Sequence, residues 1–342
     1  MIRNAPFLLL VAVLLHPGCS AGTGQDASFD VGAGDVGSVP DGGTTPDGGI
    51  GVDVGTNPDG GSRGRVIAQY FFMQDGNWAD KLRQDTPFEK LNRLYIGFTC
   101  LKKNTQNKWE LDYLDPANDD TRIRQLVEAC RKKNPAAQIF IVSGYGSGCG
   151  EGSKYVEASK GAGAFAENVL AFMRKYGLDG YDMDWENEIE SGPLNTLLAA
   201  LRTAFDEAGK NDGKRYGLTL AVWQYPEYGN YDFPGMMPYI DQINIMSYGP
   251  DNKLDNCAKS YMEKGVPASK IVGGIETEIG YAESGGVDTL GSGGSISEKC
   301  SYAIKTGLAG MMEWRLDNDY CEPAGYPTYK GASYMYELLS AK

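Results

Sequence analysis

The chain has 342 residues, a net charge of −13 and one histidine, His16. An acidic surface repels phosphate backbones and anionic lipid, which argues against nucleic acid and a charged membrane as partners and favours a neutral polymer. A lone imidazole inside a segment expected to be cleaved removes histidine-based nucleophile systems and ordinary zinc sites, so any chemistry falls to carboxylates, tyrosine, lysine or backbone groups.

Residues 1–19 carry Arg3, an apolar run from Phe7 to Leu15 and small residues around Cys19, the layout of a secretory signal. The run is shorter than the roughly 20 apolar residues of a membrane span. Leu15-His16-Pro17-Gly18-Cys19-Ser20 resembles a bacterial lipoprotein signal, which implies lipid on Cys19 and an exported product: a cell-surface or outer-membrane lipoprotein, or a secreted protein. The expected sign is a diacylglyceryl or triacyl mass on Cys19 of membrane-extracted protein.

Residues 20–64 hold seven aspartates and repeat Pro-Asp-Gly-Gly at 40–43, 46–49 and 58–61. Too little apolar surface is available there to offset the entropy of ordering, so the stretch reads as a disordered linker. Calcium binding is the sharper alternative, but EF-hand-like spacing is absent. Beyond the linker lie Cys100, Cys130, Cys149, Cys257, Cys300 and Cys321. An even number in an exported chain predicts disulfides, with buried free thiols as the other reading.

From residue 65 to 342 short apolar runs alternate with amphipathic stretches. Strands are expected at Val66–Phe72, Leu94–Phe98, Gln138–Ser143, Gly180–Trp185, Gly217–Val222, Gln242–Ser247, Lys270–Ile275 and Gly310–Trp314. Helical stripes recur between them: Ile123, Leu126, Val127 and Cys130 in one, and Phe165, Val169, Phe172 and Met173 in another. A third helical stretch is expected at Ser297–Lys305. Eight strands over this length predict an α/β fold, a single (β/α)8 TIM barrel with its chemistry where the strands end.

Leu178-Asp179-Gly180-Tyr181-Asp182-Met183-Asp184-Trp185-Glu186 is the most informative run. Strand alternation puts Asp182, Asp184 and Glu186 on one face and Tyr181, Met183 and Trp185 on the other. The apolar face suits the surrounding helices, which leaves the acids inside the barrel, climbing toward its mouth. Burial and like charge raise carboxyl pKa values, so at least one of the three is expected to hold a proton near neutrality, as a general acid must. A solvated acidic edge and a calcium or magnesium site are the alternatives. Asp179 has the opposite parity and reads as structural.

Asp179-Gly180-Tyr181-Asp182-Met183-Asp184-Trp185-Glu186 resembles the DGxDxDxE signature of family 18 glycoside hydrolases, which include chitinases and endo-β-N-acetylglucosaminidases. Ser143-Gly144-Tyr145-Gly146 is similar to the family's SxGG, Met246-Ser247-Tyr248-Gly249 to its MxYD, and Met311-Met312-Glu313-Trp314 to its last strand. The resemblance implies substrate-assisted hydrolysis. Glu186 would be the acid/base, Asp184 would orient the substrate's acetamido group, Asp182 would support Asp184, and Tyr248 would donate to the acetamido oxygen. Trp314 would be the apolar floor beneath the sugar, with Met246 packed below the site, and Ser143, Asp179 and Gly180 structural. Gly249 stands where many members have aspartate, and Asn187-Glu188 replaces a common Tyr-Pro. Tyr70, Phe71, Trp78, Tyr145, Trp223 and Tyr225 follow strand ends and are expected to flank the cleft.

The implied partner is an N-acetylglucosamine-containing polysaccharide or glycan, chitin or chito-oligosaccharides ahead of the chitobiose core of an N-glycan. No metal and no cofactor is expected, and the chain should be a monomer. An inactive glycan-binding protein on the same barrel and a carboxylate-based metal hydrolase are the competing classes.

Overall fold

The computed structural model describes residues 64–341, except 75, 145–148, 150, 280–285 and 323–324. The signal, Cys19, nearly all of the linker and Tyr145 therefore lie outside the described residues.

The first half of the domain runs β1 (Val66–Phe72), α1 (Trp78–Lys81), β2 (Arg93–Lys103), β3 (Trp109–Tyr113), α2 (Asp119–Lys133), β4 (Gln138–Gly144), α3 (Gly152–Ser159) and α4 (Ala162–Tyr176). It continues with β5 (Gly180–Asp184), α5 (Ser191–Asp212), β6 (Gly217–Val222), α6 (Phe233–Met236) and β7 (Gln242–Ile245). The last third holds α7 (Leu254–Glu263), β8 (Ile271–Glu276), α8 (Ser295–Thr306), β9 (Gly310–Trp314) and α9 (Lys330–Ser340). Every strand but β3 pairs in parallel, in the order β1-β2-β4-β5-β6-β7-β8-β9, and β9 returns to β1 to close a (β/α)8 barrel.

The eight expected strands are all present, with ends shifted by a residue or two at most places. The second strand is the exception. It runs on past Phe98 and pairs antiparallel with β3, from Thr99↔Tyr113 to Lys103↔Trp109. Leu101 and Leu111 are both buried and give the hairpin its inner side.

Outward-facing strand residues meet the inner stripes of the helices. On α4 these are Phe165, Val169 and Met173, fully buried, with Phe172 at the edge. α2 contributes Ile123, Leu126 and Cys130. The expectation that the six cysteines pair off is corrected at three positions. Cys100 and Cys149 form a disulfide that ties the hairpin to the loop after β4, whereas Cys130, Cys257 and Cys300 are free. Each of those three sits on the buried side of a helix and behaves as a small apolar group.

Inside the barrel, side chains form layers. Arg93 occupies the lower end, donating to Gln138 Oε1 at 2.8 Å and to Gln242, with its guanidinium 4.8 Å from the Phe140 ring centroid. Above it Phe140 spreads across β5 and β6. A Cβ on Gly180 would come within 2.2 Å of that ring, and one on Gly217 within 2.3 Å. These two glycines are hollows that let one phenyl ring close the barrel floor, which explains Gly180 sterically.

Candidate active site

Strand β5 carries Asp182 and Asp184 inward from that floor, while Tyr181 and Met183 pack outward among the helices. Trp185 follows the same outward parity, stacking on Tyr155 with centroids 4.9 Å apart. The strand ends at Asp184, so Glu186 stands on the loop just above it and is partly exposed. Two indoles fix that loop: Trp185 Nε1 donates to Asn187 O at 2.7 Å and Trp223 Nε1 to Glu186 O at 2.9 Å. The acids thus form a ladder from a sealed interior to an accessible mouth.

Asp182 is fully buried. Tyr70 donates its hydroxyl to Oδ2 at 2.8 Å, while Thr219 and Asn244 (3.1 Å) both donate to Oδ1. Burial pushes its carboxyl up to about 6, against the hydrogen bonds from Thr219, Tyr70 and Asn244 and the charge of Arg93. Asp184 has fewer compensating partners. Burial, the charges of Glu186 and Asp182, and a hydrogen bond with Glu186 hold its carboxyl well above the usual range. Its Oδ1 is buried with no hydrogen-bond partner. The Asp184 carboxyl, pushed up by burial and by the charges of Glu186 and Asp182, is the member of the ladder that resists ionisation beside Glu186.

Gly144, the β4 neighbour of Asp184, sits at φ 140°, and a Cβ there would lie 2.2 Å from the Asp184 carbonyl oxygen. That close approach is what the glycine after Ser143 provides. Ser143 itself points outward, hydrogen-bonded to Tyr155 at 2.9 Å and to Tyr181, so it braces the strand from behind. Asp179 is likewise structural, ion-paired with Arg131 and with Lys214 at 3.3 Å, and it accepts the Ile139 N–H at 2.9 Å.

Across the mouth, Tyr248 and Met246 pack against the interior cluster together with Trp314. The Tyr248 hydroxyl reaches Met312 Sδ at 3.8 Å. Trp314 lies 5.8 Å from Phe98 and 6.1 Å from Tyr70, centroid to centroid, and its Nε1 donates to Glu278 Oε2 at 3.1 Å. Arg315 and Asn318 bind the same Glu278 carboxylate, so the indole is held from below.

Three expected cleft aromatics are corrected. Tyr70 is buried and serves Asp182; its inward parity on β1 puts it within the barrel and not on a rim. Phe71 and Trp78 pair with each other outside the barrel, 5.9 Å apart. Trp223 does adjoin the acid, through the loop carbonyl. Thr219, Asn244 and Glu278 went unnoticed in the sequence. Counting inward parity along β6 from Gly217 would have placed Thr219 level with Asp182. Among the described residues no cluster of three or more His, Cys, Asp or Glu side chains is set to hold a metal ion.

The sign of the Asp182 shift makes a prediction. Its folded pKa is raised, so the folded state binds more protons than the unfolded chain between pH 3.8 and about 6. The stabilisation is complete below that window and is lost as pH rises through it. Wild-type melting temperature should therefore fall across the window relative to Asp182→Asn. Parallel curves for the two proteins would refute the assignment.

Comparison with known proteins points to the same barrel. The profile described as glycosyl hydrolases family 18 matches residues 66–289. Chitinase A1 of Niallia circulans is 27% identical over 210 residues, covering 48% of this chain and 30% of its own length. Chitinase B of Serratia marcescens is 28% identical over 230 residues, covering 57% and 45%. The chain thus spans less than half the length of these relatives. A class V chitinase from Nicotiana tobaccum, solved in complex with NAG4, superposes with a TM-score of 0.66 at 18% identity, covering 81% of this chain and 99% of that one. With the acid ladder inside a closed barrel and a family match over most of that barrel, the chain belongs to the glycosyl hydrolases of family 18.

Proposed function

We propose that this protein hydrolyses β-1,4-linked N-acetylglucosamine in chitin or chito-oligosaccharides, the substrate's own acetamido group taking part. The observation that carries this reading is the ladder itself: Asp184, buried, hydrogen-bonded to a partly exposed Glu186 and backed by the three hydrogen-bond donors around Asp182. No second carboxylate stands free as a nucleophile in that arrangement, which suits attack by the acetamido oxygen on the anomeric carbon. Glu186 delivers to the leaving oxygen the proton it shares with Asp184, and later takes one from water. Asp184, left as the anion by that delivery, turns toward the acetamido N–H and offsets the positive charge of the oxazolinium ion, while Tyr248 orients the acetamido oxygen above the Trp314 floor.

The printed names of the matched relatives favour chitin, as does Trp185 in the motif. Among the described residues, the connection from β8 to β9 contains α8 and no further sheet, which suits a shallow cleft and internal cutting. Incubation with chitopentaose should yield dimer and trimer. Release of the intact glycan from ribonuclease B with chito-oligomers left uncut would replace this substrate by the N-glycan core. Binding without cleavage of either would make the chain a lectin on a hydrolase barrel.

A further inference from the structure

Tyr248 is flanked by Ser247 and Gly249, neither of which has a side chain long enough to brace it, and Gly249 adopts φ 75°. Glycine adopts that left-handed φ without steric cost, and it brings no side chain to the site. The backbone is held instead. Lys299, on α8, donates its ammonium to the carbonyl oxygens of Ser247 and, at 2.8 Å, of Gly249. The same ammonium lies 2.7 and 2.9 Å from the two oxygens of Asp288. Asp288 in turn accepts the Gly249 N–H at 3.0 Å and the Glu276 N–H at 2.8 Å.

Both side chains are almost wholly buried, 3% and 0% exposed. Buried ion pairs are poor stabilisers, because desolvation cancels most of the attraction. Their placement here is specific: the contacts converge on the peptide groups on either side of Tyr248. Behind the ring the β8 backbone is bare, since a Cβ on Gly274 would come within 2.9 Å of Tyr248 Cε1. Asn252 Nδ2 completes the grip by donating to Tyr248 O at 2.7 Å.

We propose that the Lys299–Asp288 pair is the positioning element for Tyr248, clamping the backbone on both sides so that the phenol meets the bound acetamido group. This rests on the role given to Tyr248 under the proposed function. The clamp replaces, through the main chain, a side-chain contact that Gly249 cannot make.

A double-mutant cycle on chito-oligosaccharide hydrolysis tests it. In the wild-type background Tyr248→Phe is expected to lower kcat about 10–100-fold, as loss of an orienting contact does. In the Lys299→Met background the same change should lower kcat by less than about threefold, because the phenol is already misplaced. KM should move little in either. A purely structural role would leave the full Tyr248→Phe factor intact, and that result overturns the proposal. If Tyr248→Phe costs nothing in the wild type, the role of Tyr248 itself fails, a distinct outcome that also overturns the clamp. Circular dichroism checks folding. Where Lys299→Met does not fold, Lys299→Met/Asp288→Asn takes its place, removing both charges together. Should neither fold, the pair belongs to the fold alone and the proposal is withdrawn.

Discussion

Glu186→Gln is expected to lower kcat on chito-oligosaccharides by about 10²–10⁴-fold, the usual contribution of a general acid–base group. The amide keeps the shape of the side chain and its place on the loop that Trp185 and Trp223 hold, so melting temperature and substrate binding should stay near wild type. What it cannot do is deliver a proton. An ordinary sugar leaving group needs that proton, whereas an activated phenol needs it less, so the loss should be smaller on a fluorogenic aryl glycoside. Equal turnover by the purified variant and the wild type on chitopentaose would remove Glu186 from the mechanism.

Asp184→Asn should be impaired by about 10²-fold or more, with a different signature. Asparagine can accept a hydrogen bond but cannot become the anion that offsets the oxazolinium charge. Because Asp184 is buried between Asp182 and Glu186, the substitution also removes a shared proton and changes the field felt by Glu186. Two readouts follow. A chitobiose thiazoline, which mimics the oxazolinium geometry, should inhibit the wild type strongly and the variant weakly. The pH profile of kcat should also shift, because the carboxyl coupled to Glu186 by charge and hydrogen bond is gone. A variant that retains tight thiazoline binding and an unshifted profile would make Asp184 a packing residue.

The barrel and its acid ladder were legible because their signals are local. Alternation over nine residues is enough to give Asp182 and Asp184 one face of a strand, and the glycines and apolar runs mark where strands begin. What escaped depended on partners far along the chain. Tyr70 reads as a rim aromatic until the barrel closes and brings it to Asp182, 112 residues away. Glu278 and Trp314 are separated by 36 residues, and Lys299 meets the carbonyl of a residue 50 positions earlier. The hairpin was missed for a different reason. Its strands alternate buried leucines with lysines and acids over only a few residues, and so short a pattern carries little strand signal. Cysteine parity misled because helix packing decides which thiols can meet: Cys130, Cys257 and Cys300 each lie on the buried side of a different helix.

The phenyl floor made by Phe140 over Gly180 and Gly217 decides from which side the site is reached. It stops the barrel from below, so the ladder is a well open at one end, with Glu186 at its lip and Asp182 at its base. Asp182 is fully buried at the base and Glu186 is the partly exposed member. A molecule arriving from solvent therefore meets Glu186 first, and Asp182 acts on it only through the groups stacked above.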